Sequence, residues 1–221
     1  MKQQLKSVAA AAAIVLGAAF AAAPASAADA STTDTSGTGI HAGDILVRLR
    51  AIAIMPQSST SSGSTLNAIN AQANNAIVPE LDFTYMFTNS IGAELILGTS
   101  RNQVTSNIGP LGGVGVLPPT LLLQYHFNHA GKVRPYVGAG INYTIFYNNG
   151  LHALGQPVSI DNHSFGPALQ MGIDVDVTKN VFINADIKKI WMRTGASLGG
   201  TSLGTLYIDP LVVGVGVGMR F

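Results

Sequence analysis

Ten polar residues at alternating positions of extended segments carry the chemistry open to this chain. They are Asp44, Arg48, Glu94, Gln124, His126, Arg134, Asp174, Asp186, Lys188 and Arg220. Asp176 and Asn184 share their faces. Both signs of charge are present, and charges held away from water persist when paired and hydrogen-bonded. The set reads as a salt-bridged plug, with an ion pathway as the alternative. Toward the other end of the same faces the residues turn apolar: Ile52, Ile54, Ile96, Leu122, Phe146, Ile190 and Met192. That set fits a pocket for small hydrophobic molecules and equally fits packing under folded-over links. Glu80 and Asp82 fall at the apolar end and weaken the contrast.

Catalysis has little support. His152, Ser159, Asp161, His163 and Ser164 lie close in sequence, yet no nucleophile elbow or triad spacing joins them. The five histidines are scattered without metal-ligand spacing. There is no cysteine, hence no disulfide framework and no thiolate site. No catalytic residue, metal or cofactor is expected. Near-balanced charge, with no basic cluster, gives no sign of a nucleic-acid partner.

The elements that must position these side chains are strands. The end of the chain is clearest: Leu211, Val213, Val215, Val217, Met219 and Phe221 share one face, and Val212, Gly214, Gly216, Gly218 and Arg220 share the other. A period of two marks a strand with different surroundings on its two faces. Eight such segments are expected: Asp44 to Ile54, Val78 to Phe87, Ile91 to Arg101, Val116 to Phe127, Val133 to Tyr147, Ser164 to Val177, Val181 to Met192 and Leu206 to Phe221. Each reaches the ~9–11 residues a tilted membrane strand needs. Charged residues make up 10% of the chain, against about 25% in soluble domains. The expected fold is all-β, an eight-stranded antiparallel transmembrane barrel, because only helices and closed barrels satisfy the backbone in lipid.

The links sort strictly into long and short. Residues 55–77, 102–115, 148–163 and 193–205 are long; 88–90, 128–131 and 178–180 are short. Outer-membrane barrels have short periplasmic turns and long extracellular loops. With both termini periplasmic, Phe87, Tyr125, Phe127 and Phe221 form a lower aromatic girdle. Tyr143, Tyr147, Phe165, Trp191 and Tyr207 form an upper one. Pro167 lies within the sixth segment, where a missing ladder donor marks a bulge or a lateral opening. Ahead of the strands, Lys2 and Lys6, an apolar run from Val8 to Phe20, and Ala25-Ser26-Ala27 read as a cleaved secretory signal. The expected organisation is a signal peptide at 1–27, a periplasmic tail at 28–43 and a barrel at 44–221, located in the outer membrane.

Several stretches carry a family resemblance. They are Ala42-Gly43-Asp44-Ile45-Leu46-Val47-Arg48, Glu80 to Thr88, Ala93-Glu94-Leu95, Leu117 to Leu121, Gln124 to Phe127, Arg134 to Thr144, Asn184 to Lys188, Asp209-Pro210 and Gly214 to Phe221. Together they make the chain similar to the outer-membrane protein W family, across nearly all of the sequence after the signal segment. The resemblance implies an eight-stranded barrel with a hydrophobic channel that passes small apolar compounds across the outer membrane. The first long link departs from the family pattern between Ser58 and Asn75. The terminal Phe221 resembles the signal that outer-membrane barrels present to their assembly machinery. Expected partners are outer-membrane lipid and lipopolysaccharide, that machinery, and small hydrophobic solutes. A structural or adhesive barrel whose loops bind partners is the competing function.

Overall fold

The computed structural model describes residues 39–221. The expected signal peptide and most of the expected tail lie outside them. In chain order the elements are β1 (Ile45–Met55), β2 (Ser59–Thr60), helix α1 (Thr65–Ala68), β3 (Gln72–Ala73), β4 (Ala76–Met86), β5 (Ile91–Gly98), β6 (Ser100–Ser106), β7 (Gly109–Leu117) and β8 (Thr120–His126). They continue with β9 (Val133–Tyr147), β10 (His152–Ala153), β11 (Gln156–Ile160), β12 (His163–Asp176), β13 (Val181–Ile190), β14 (Arg193–Leu198), β15 (Thr201–Tyr207) and β16 (Leu211–Arg220).

Eight of these strands close on themselves. The order is β12-β13-β16-β1-β4-β5-β8-β9, and pairing of β9 with β12 completes the ring. Every pair in the wall is antiparallel. Burial alternates residue by residue, as in β8, where Thr120, Leu122, Gln124 and His126 are buried and Leu121, Leu123 and Tyr125 are exposed. The exposed face is a greasy belt that includes Leu49, Leu95, Leu123, Ile141, Met171, Ile183 and Val217. In water such a surface would drive aggregation; in a bilayer it is the lipid contact.

The glycines of β16 answer a packing demand from their neighbours. Gly218 lies beside Phe182 and Arg48, Gly216 beside Asn184 and Arg50, and Gly214 beside Asp186 and Ile52. A Cβ on Gly218 would stand 2.3 Å from the Phe182 ring, and one on Gly214 2.5 Å from the Asp186 carboxylate. The lumen is filled from β1 and β13, so the strand between them carries almost nothing.

The long links carry strands of their own: β6 and β7 form a hairpin, and β10, β11, β14, β15 and β2 form a second sheet. These strands begin above interruptions at Thr99, Pro118-Pro119, Trp191-Met192 and Ile208-Pro210. The last residues of the expected tail are also fixed. Ile40 is fully buried against Leu46, Met86 and Phe182. Its amide donates to the His129 carbonyl at 2.8 Å, and the Gly43 amide donates to the Met86 carbonyl at 2.8 Å. These residues seal the short-turn end of the barrel.

Candidate functional site

Above the Ile40 seal the lumen holds a layer of buried charge. Arg48 donates from Nη1 to Asp82 Oδ1 at 3.0 Å and to Thr84 Oγ1 at 2.8 Å. Its Nη2 donates to Asp174 Oδ2 at 2.9 Å, and Glu94 Oε1 stands 3.5 Å from Nη1. Arg50, one turn of the pleat higher, meets four carboxylates: Glu80 at 2.9 Å, Asp82 at 2.7 Å, Glu94 at 3.2 Å and Asp186 at 2.7 Å. Lys188 Nζ bridges Glu80 Oε1 at 2.8 Å and Asp186 Oδ2 at 2.7 Å. The register produces this meeting, because Arg48 lies opposite Asp82 and Arg50 opposite Glu80 on adjacent strands. Gln170 ties the far wall in, accepting from Gln124 Nε2 and donating to Asp186 Oδ2, both at 2.9 Å.

The expected polar set is thus partly gathered. Arg48, Glu94, Asp174, Asp186 and Lys188 lie in one network, and Gln124 joins it through Gln170. His126 stacks on Tyr136 at 5.0 Å and contacts Gln124 Oε1 through Nε2 at 3.1 Å. Arg134 pairs separately with Asp176, at 2.5 and 2.6 Å, over the Phe182 ring. Asp44 and Arg220 sit at the rim, 3.9 Å apart, where Asp44 accepts from the His41 amide and Arg220 donates to the Lys179 carbonyl. Arg50 belongs with Arg48 by simple alternation and is the main omission from the expected set. Asp82 joins the charged layer, and Glu80 forms its top edge, next to the apolar residues.

Over this layer the lumen becomes apolar. Ile52, Ile96, Leu122, Ile190 and Met192 pack together with Ala168 and Val212, flanked by Ile54, Val78 and Ile208. Phe146 belongs to a second cluster, with Val104, Leu111, Val114, Leu151 and Val158. Between the clusters lies a cavity of about 110 Å³, far above the ~10–15 Å³ one water needs. Ile52, Ile54, Ile96, Phe146, Ile190 and Met192 line it; Leu122 packs below and does not. The upper lining comes from the long links and includes Leu66, Leu151, Val158 and Leu203. Alternation in Val158-Ser159-Ile160 was the available signal for such a strand.

The wall beside this cavity has a gap. Pairing of β5 with β8 ends at Ile96 and Thr120, and pairing of β6 with β7 resumes at Ser100 and Val116. Leu97, Gly98 and Thr99 face Leu117, Pro118 and Pro119 between these points, and two of the six lack an N–H. Among the described residues only the Thr99 hydroxyl spans the gap, donating to the Val116 carbonyl at 3.3 Å. Gly98, Thr99 and Pro118 all line the cavity. Pro167 stays in register with Ile141, its carbonyl accepts from the Trp191 amide at 3.1 Å, and it does not line the cavity. The loop residues weighed for catalysis have other partners. His163 meets the Tyr143 hydroxyl at 3.1 Å, and Asp161 accepts from the Gly195 amide at 2.9 Å.

Residues 41–221, the barrel with its links, match the OmpW family. The chain belongs to that family. Among OmpW relatives, outer membrane protein W of Escherichia coli strain K12 is 35% identical over 205 residues, covering 87% of this chain and 96% of the relative. The dibenzothiophene metabolism operon protein PahQ of Pseudomonas aeruginosa is 32% identical over 161 residues, covering 69% and 74%. The crystal structure of the outer membrane protein OprG from Pseudomonas aeruginosa superposes with a TM-score of 0.75 at 28% identity, covering 83% of this chain and 98% of that one. This family member is therefore an outer-membrane β-barrel, and its outward aromatics Phe87, Tyr125, Tyr143 and Phe165 are exposed to the bilayer.

Proposed function

We propose that this barrel is a passive conduit for small hydrophobic molecules. The observation that carries the reading is an apolar cavity stacked directly on a charged layer and an apolar seal. A greasy solute entering from the long-loop end is stabilised by roughly 25 cal/mol per Å² of apolar surface removed from water. It gains nothing by advancing into paired charges. Sideways release into the membrane is the remaining exit, and the gap at Pro118-Pro119 supports it better than Pro167 because Pro118 borders the cavity. No energy source is needed, since the solute moves down its own gradient into lipid. The relative whose name places it in a dibenzothiophene metabolism operon fits a solute of this kind.

The direct test is uptake of a radiolabelled apolar solute by cells with and without the protein. Faster uptake with the wild-type chain, lost in an Ile96→Asp variant that still reaches the membrane, is the expected result. Equal rates in cells with and without the protein would refute the conduit. Export through a cleaved signal segment belongs to the same proposal, and mass spectrometry of the membrane-embedded protein should find Ala28 at its start.

A further inference from the structure

The cavity floor is not neutral. Glu80 and Lys188 both line it, although each is almost wholly buried. The closest contacts of the Glu80 carboxylate, from Arg50 Nε at 2.9 Å and Lys188 Nζ at 2.8 Å, both fall on Oε1. Oε2 has no donor among the described residues and is not among the fully enclosed unpartnered atoms. It is an acceptor at the base of an apolar chamber. An acceptor that opens only onto an apolar chamber is a natural partner for a bound molecule that supplies a donor.

The formal charge beneath points the same way. The connected network holds five carboxylates, Glu80, Asp82, Glu94, Asp174 and Asp186, against three cations, Arg48, Arg50 and Lys188. An anionic head meets a surplus of negative charge and leaves its own hydration behind. A hydroxyl has neither penalty. It donates to Glu80 Oε2 and can accept from Lys188, whose Nζ spends two of its three hydrogens on Glu80 and Asp186.

We infer that the preferred ligands are amphipathic, an apolar body with one neutral hydroxyl head seated on Glu80, rather than pure hydrocarbons or carboxylates. This rests on the conduit reading and narrows it to a substrate class. The test compares 2-naphthol with 2-methoxynaphthalene, which has nearly the same shape and no donor, and with 2-naphthoate. Binding is read by equilibrium partition into lipid nanodiscs holding the protein, corrected with empty nanodiscs. The expected result is that 2-naphthol binds about tenfold tighter than the methyl ether and that 2-naphthoate binds weakest. Glu80→Leu should erase the naphthol preference while leaving the methyl ether bound. Equal binding of naphthol and its ether, tighter naphthoate, or a preference that survives Glu80→Leu overturns the assignment. The wild-type ranking decides alone if that variant does not fold. Failure of all three probes to exceed empty nanodiscs instead overturns the cavity as a binding site.

Discussion

Arg50 shows how a single side chain holds the lumen together. It is 1% exposed and stands within 3.2 Å of four carboxylates. Removing one member of a buried charge network leaves the others uncompensated, at a cost of about 3–5 kcal/mol. Arg50→Ala should therefore lower stability by that order, read as urea unfolding from lipid vesicles. Asp174→Asn should cost less, because Arg48 keeps Asp82 and Glu94. Alternation along β1 made Arg48 legible as a lumen residue. The meeting of Arg50 with Glu80, Asp82, Glu94 and Asp186 was not legible, because cross-strand register is set by closure.

At the scale of elements, the interruption between β7 and β8 is the feature most open to test. Two adjacent prolines leave the wall without ladder donors where the cavity touches it. Replacing both with alanine restores two N–H groups, each worth about 0.5–1.5 kcal/mol when bonded. The double substitution Pro118→Ala with Pro119→Ala should slow release of an apolar solute roughly tenfold. Equilibrium binding in nanodiscs should stay near wild type, and stopped-flow release into acceptor vesicles measures the difference. The existence of the wall strands and the short turns was readable from period and turn residues. The strands built from the long links escaped because Gly, Ser, Thr and Asn dominate them, and their pairing with one another sits above the barrel rather than within it.

For the molecule as a whole, closure governs both stability and assembly. Phe221 and Ile45 exchange backbone hydrogen bonds at 2.9 and 3.0 Å where the last strand meets the first. Deleting Phe221 removes these two bonds, about 1–3 kcal/mol together, which is small beside the ~5–15 kcal/mol of a folded domain. Refolding into lipid vesicles should survive the deletion, seen as a retained heat-dependent shift on gels. Insertion in cells should fall, measured as protein recovered in outer-membrane fractions. The two outcomes together separate a recognition role for the terminal residue from a structural one.

Sequence alone determined the barrel, through period-two faces, low charge and strict sorting of links. Those are local properties, because each side chain's face follows from its parity along a strand. Tertiary structure decided which charges meet, that Ile40 seals one end, that the links roof a chamber, and that one carboxylate oxygen of Glu80 is left at its floor. Such facts depend on register between strands distant in sequence and on a ring that closes only when all eight are present.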